Sequence, residues 1–208
     1  MRELAPALSP FRRFPGRFPP CFPLKCFCVA YHSRKKKAMN PTVKIRNETE
    51  DDVGAISDVT VAAFKTLEIS NHTEQFIIMA LRAVKALSVS LVAETDGGVV
   101  GHIAFSPVII SDGTQNWYGL GPVSVLPEYQ RQGIGKALVQ EGLSRLKEMN
   151  AQGCSLVGHP EYYRQFGFKN MPGLGVGGVP QEFFFALSFG GQHPQGTVTF
   201  HDAFTATE

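Results

Sequence analysis

The stretch YGLGPVSVLPEYQRQGIGKALVQEGLSRLKEM, from Tyr118 to Met149, decides how the rest of the chain is arranged. Its first part, Leu120 to Leu126, is apolar and β-prone, and it ends at Pro127, which cannot continue a strand ladder. Gln130-Arg131-Gln132-Gly133-Ile134-Gly135-Lys136 follows. An apolar period then opens at once, with Ile134, Leu138, Val139, Leu143, Leu146 and Met149. These positions share one face at helical spacing, and Gln140, Ser144, Lys147 and Glu148 lie opposite. The unit is therefore strand, tight glycine turn, helix. A helix start carries free backbone N–H groups and the positive end of the helix dipole, and here Arg131 and Lys136 stand beside them. Such an arrangement suits an anion, most naturally a pyrophosphate. Gly133 and Gly135 let a phosphate approach the backbone with no Cβ in the way. Taken alone, a glycine pair before a helix is also an ordinary turn.

The spacing does not fit the two common nucleotide loops. The stretch has no G-x-x-x-x-G-K-[ST], and Leu138 stands where G-x-G-x-x-G needs its third glycine. The order Val125-x-Pro127-x-Tyr129-Gln130-x-x-Gly133-Ile134-Gly135-x-Ala137-Leu138 instead resembles the acetyl-coenzyme A signature of the GNAT N-acetyltransferases, whose loop reads Q/R-x-x-G-x-G/A. A second block, Tyr162-Tyr163-Arg164-Gln165-Phe166-Gly167-Phe168, looks like that family's late Y-x-x-x-G-F element. One helix and one strand fit between the blocks. Leu156-Val157-Gly158-His159-Pro160-Glu161-Tyr162-Tyr163 is similar, more narrowly, to the YhbS-like branch of acetyltransferases. The resemblance runs from roughly Thr42 to the C-terminus.

That resemblance implies transfer of an acetyl group from acetyl-CoA to a primary amine, on a small molecule or a protein, directly within a ternary complex. Backbone groups of Val123, Ser124 and Val125 would pair with the pantetheine arm like an added strand. Gln130, Arg131, Gln132, Gly133, Ile134, Gly135 and Lys136 would cradle the pyrophosphate. Gly121 and Pro122 lie just upstream, where a break or bulge would splay the strand and admit the coenzyme. Tyr163 takes the position of the tyrosine that, in many members, gives its proton to the departing thiolate. Tyr162 beside it could exchange roles, and a tyrosine in this element also packs. The general base stays unassigned among Glu68, His72, Glu94, His102, His159 and Glu161, and some relatives use water or a neutral amine. Two alternatives remain open: a GNAT module that senses acyl-CoA without turnover, and an enzyme with a longer acyl donor. No metal is called for.

Composition sets the remaining bounds. A 208-residue chain that is 43% hydrophobic and 18% charged can bury one sizeable core. Its net charge of +2 conceals an asymmetry, because residues 1–38 hold nine Lys or Arg and one acid. The other 170 residues therefore carry about −6, which disfavours nucleic acid and suits a cationic amine. No membrane partner is expected, since no apolar run reaches 18 residues. Cys21, Cys26 and Cys28 lie at no zinc-finger spacing from a histidine, and Cys154 reads as a small buried hydrophobe. Nothing requires an oxidising compartment, so a cytoplasmic monomer or homodimer is expected.

Residues 1–38 hold six of the 14 prolines and no steady period, and are expected to be a disordered extension. Too few serines and too many prolines weaken a transit-peptide reading, and Pro23 and Lys25 interrupt the apolar patch a secretory signal needs. The favoured expectation is a working protein that begins near Met39, with residues 39–208 as one GNAT domain. Val43 to Arg46 reads as a strand. Val53, Ile56, Val59, Val61 and Phe64 mark one helix after candidate N-caps at Thr49 and Asp51. Phe76, Ile77, Ala80, Leu81 and Val84 mark a second, from Thr73 to Leu87. Strands follow at 88–93 and 99–110 around the turn Asp96-Gly97-Gly98, then at 154–158. Phe183 to Leu187 and Thr197 to Phe200 are expected to close the sheet as an antiparallel pair. The fold class is α/β, with a mixed, mostly antiparallel sheet of about seven strands and helices on both faces.

Overall fold

The computed structural model describes residues 42–65, 67, 70–96, 98–191 and 193–208. The basic segment 1–38, Met39, the candidate base Glu68 and Gly97 of the expected turn lie outside them.

A short strand, β1 (Lys44–Asn47), leads into α1 (Val53–Phe64) through one 3-10 turn. Thr49 caps that turn, and its backbone N–H and its hydroxyl both donate to Asp52 Oδ2, at 2.7 and 2.9 Å. Then come α2 (Glu74–Ala83), β2 (Val89–Thr95) and β3 (Gly98–Pro107). The strand expected over 99–110 breaks at Pro107, which has no N–H to donate, and resumes as a separate β4 (Ile109–Ile110). Next are β5 (Trp117–Val125), α3 (Ile134–Glu148), β6 (Gly153–Val157) and the four-residue α4 (Pro160–Tyr163). The chain closes with β7 (Leu174–Gly175), β8 (Phe184–Ser188) and β9 (Gly196–Thr199).

Six strands form the main sheet in the order β1-β2-β3-β5-β6-β8. Its neighbours are antiparallel except β5 and β6, which α3 connects as a parallel crossover. The expected β8–β9 pair does not form. Instead β9 joins β4 and β7 in a second, three-stranded sheet. The corner at Ser111 and Asp112 holds it there: Asp112 accepts from the Gln195 amide at 2.7 Å and Ser111 Oγ from the Thr197 amide at 2.9 Å.

Each face of the main sheet is buried. Leu91, Ala93, Ile103, Phe105, Leu120, Val123 and Val125 meet Ile134, Leu138, Val139, Leu143 and Leu146 of α3. The helix lies close, since a Cβ on Gly142 would stand 2.2 Å from the Phe105 ring. On the opposite face, Ile77 and Leu81 of α2 pack with Trp117, Val157, Phe184, Phe200 and Phe204, and Ile56 and Ile78 pack on Val92. Three expected core positions are exposed: Val61, Val84 and Met149. Thr60, Ala63 and Ile78 are buried instead, and α2 stops before Val84 because Lys85 adopts φ 56°.

Candidate active site

The parallel pair β5–β6 holds together over three residues and then parts. Trp117, Tyr118 and Gly119 pair with Gly153, Cys154 and Ser155, and the ladder ends there. On its other side β5 stays joined to β3 as far as Val125, but with a bulge. Ile103 faces Val123 and Phe105 faces Leu120, so Gly121 and Pro122 together oppose Ala104. Gly121 takes φ 139°, a backbone region open to glycine, and the Gly121–Pro122 peptide is cis. The bulge lies where the sequence placed it. From Leu120 to Val125, backbone groups directed away from β3 have no strand ladder with β6.

The open edge runs into the glycine turn. Gly133 caps α3 at φ 90°, Arg131 also takes a left-handed φ of 62°, and α3 begins at Ile134. The first amides of this helix point out of its end with the positive pole of the dipole. Ile134 is buried and anchors the turn to the core, while Arg131, Gly133 and Lys136 are exposed and Gly135 is half-buried. Gln130 is engaged locally, its Nε2 donating to the Val125 carbonyl at 2.9 Å and tying the turn to the strand end. Gln132 Nε2 similarly donates to the Glu128 carbonyl at 3.0 Å. Val123, Ser124 and Val125 have buried side chains. Because Thr60 Oγ1 donates to the Ile56 carbonyl at 2.7 Å, Ser124 Oγ is the donor in its 3.2 Å contact with Thr60 Oγ1. The Ser124 hydroxyl therefore holds α1.

The two tyrosines of α4 diverge. Tyr163 is buried, its ring edge-on to Phe168 at 6.1 Å and to Tyr162 at 5.0 Å. Tyr162 is edge-on to Phe166 at 5.5 Å and sends its hydroxyl across to the glycine turn. A Cβ on Gly135 would stand 2.9 Å from Tyr162 Oη and 3.8 Å from a Val125 methyl. Burial pushes the Tyr162 phenol up to about 12, so it stays protonated.

Two base candidates are engaged elsewhere. Glu94 accepts from Arg46 Nε at 2.6 Å, and Arg46 also grips Asp52 with two bonds of 2.6 and 2.9 Å. His102 is fully buried under α1 and α2, its Nε2 2.8 Å from Ser90 Oγ. Ser90 Oγ donates in turn to Glu48 Oε2 at 2.6 Å, which makes Nε2–H the donor to Ser90. Burial lowers the imidazole's pKa, so His102 is neutral. Arg82 completes the group with bonds of 3.1 and 2.8 Å to Glu48. Burial pushes the Glu48 carboxyl up, but the contacts with His102, Arg82 and Ser90 outweigh it and hold it at about 2. His72, His159 and Glu161 are exposed.

Sequence reasoning missed the burial of Asp52 and of Glu74. Glu74, the first residue of α2, is 0% exposed, and Ser70 Oγ donates to its Oε1 while Oε2 has no partner among the described residues. An acid at a helix start reads as a solvated partner of the dipole, so nothing local announces its burial.

Known proteins share this architecture. The profile described as "Acetyltransferase (GNAT) domain" matches residues 86–170. A GNAT family acetyltransferase from Brucella melitensis, solved in complex with acetyl-CoA, is 50% identical with a TM-score of 0.70; the match covers 78% of this chain and 97% of that one. The GNAT family N-acetyltransferase YhbS from Escherichia coli, solved in complex with CoA, is 26% identical with a TM-score of 0.72, covering 86% and 98%. In sequence, the uncharacterized N-acetyltransferase YhbS of Escherichia coli K12 is 37% identical over 126 residues, 60% of this chain and 72% of the relative.

Proposed function

Because the chain belongs to the GNAT N-acetyltransferases, as its identity to these relatives shows, we propose that it moves an acetyl group from acetyl-CoA to a primary amine. One observation carries this reading: β5 leaves β6 after Gly119 and leads, through one 3-10 turn at Pro127–Tyr129, into the glycine turn that starts α3. An extended arm can add to the open edge of β5 at Val123, Ser124 and Val125 while its pyrophosphate meets the amides of residues 133–136. Arg131 and Lys136 add charge there, and Gln130 and Gln132 hold the loop in shape. Both solved relatives named above carry acetyl-CoA or CoA, which supports the same ligand here.

Aminolysis of the thioester forms the amide C–N bond, breaks C–S, and leaves a thiolate that needs a proton. Tyr163 gives it, being the tyrosine of the Y-x-x-x-G-F element and lying in α4, which follows β6. Much of the acceleration comes from orientation, because amine and thioester meet in a ternary complex. Glu94 and His102 are engaged in other contacts, so the base stays unassigned among Glu68, His72, His159 and Glu161, unless the amine gives its proton to water or arrives neutral. The mildly acidic body favours a cationic amine. Residues 39–208 act as the catalytic domain, in the cytoplasm, as a monomer or homodimer. The first test measures thiol release from acetyl-CoA by the full chain over a panel of small and peptide amines. Release that depends on one amine class supports transfer, whereas tight acetyl-CoA binding with no release from any amine supports the sensing alternative.

A further inference from the structure

Tyr162 has a feature that packing does not explain. Its hydroxyl is buried, yet has no hydrogen-bond partner among the described residues. A buried polar group without a partner is destabilising, and native proteins seldom keep one without use. The position suggests the use. Tyr162 belongs to α4, which follows β6, and its hydroxyl lies against Gly135 of α3, which follows β5. The side chain thus crosses from one parted strand's end to the other's, beside Val125 and the turn. Gly135 leaves the space that the hydroxyl fills, since any Cβ there would collide with it.

We propose that the Tyr162 hydroxyl donates a hydrogen bond to an oxygen of the coenzyme's phosphopantetheine arm beside Gly135. It is then a coenzyme-binding contact, distinct from the acid role of Tyr163, and the inference rests on the acyl-CoA reading above. The two tyrosines divide the work. The Tyr162 ring stands edge-on to that of Tyr163. A phenol held protonated by burial remains a donor over the working pH range.

The full chain, wild type and Tyr162→Phe, is titrated with CoA and with desulfo-CoA by calorimetry and melted without ligand. The expected result pairs opposite signs. Affinity for both ligands falls about five- to twentyfold, while the unliganded melting temperature stays level or rises because an unpaired hydroxyl has gone. Unchanged affinity overturns the proposal and leaves Tyr162 as packing. A loss for CoA alone overturns it too, placing the hydroxyl at the sulfur. A lower unliganded melting temperature shows that the hydroxyl already serves the free protein, and contradicts it. Wild-type chain that binds neither ligand fails the acyl-CoA reading itself, a result distinct from the other three. Gly135→Ala supplies a second check, because its methyl would stand 2.9 Å from Oη. Its loss of affinity should be smaller in the Tyr162→Phe background than in wild type, and equal losses contradict the contact.

Discussion

The two faces of the sheet are stabilised by different physics. On the α3 face, aliphatic residues from consecutive turns of one helix meet Phe105, Leu120 and their neighbours. That contact ends at the glycine turn. On the α1/α2 face, apolar packing shares the interior with neutral His102, the Ser90–Glu48–Arg82 group and the Ser124–Thr60 pair. The first face builds a rigid ledge with open backbone groups at its edge. The second fixes the angle of α1 and α2 by hydrogen bonds, among them that of the partly buried Glu48–Arg82 pair. The difference teaches that ligand binding and helix placement are separable here, and substitutions should separate them.

The largest effect is expected at the ledge. Gly133→Glu puts a carboxylate where an anion should bind, yet a Cβ there meets nothing within 4 Å among the described residues. Acetyl-CoA affinity should fall more than about a hundredfold, with a stability loss of about 1–2 kcal/mol from the positive φ. Calorimetry and melting report the two separately, and an unaltered affinity refutes the loop as the pyrophosphate site. Tyr163→Phe comes next: kcat should drop about a hundredfold while CoA affinity changes much less. If turnover is unaffected, Tyr163 is a packing residue and the acid lies elsewhere.

Across the sheet the signature inverts. Glu48→Gln leaves Arg82 without its counter-charge and should cost about 2 kcal/mol of stability, read by urea unfolding, with acetyl-CoA affinity unchanged. A parallel loss of affinity would show the faces to be coupled. The same carboxylate also makes stability depend on pH. Glu48 is held at about 2 in the folded chain, below its ordinary value of 4.5, so its stabilisation is complete above 4.5 and disappears as pH falls toward 2. Melting temperature should therefore decline across that window, and less steeply in Glu48→Gln.

The same contrast explains what the sequence made legible. A helical period, a proline stop and two glycines are local signals, so β5, the turn and α3 could be placed from residues 118–149. The Gly121–Pro122 bulge was legible because few residues other than this pair break a strand so firmly. The polar group under α1 and α2 was not. Glu48 and Arg82 are 34 positions apart and Thr60 and Ser124 are 64 apart, and no local period connects such positions. The departure of β9 had the same cause, since Ser111 and Asp112 hold it from more than 80 residues away. Which of two adjacent tyrosines faces the turn depends on how α4 sits between β6 and α3. Four residues carry too little pattern to reveal that.

Hydrogen–deuterium exchange of the full chain with and without acetyl-CoA tests the central claim most directly. Protection should appear in peptides spanning 120–136 and 160–168, and exchange should stay unchanged around Glu48, Arg82 and Ser90. Protection elsewhere, with none at the glycine turn, would contradict the account.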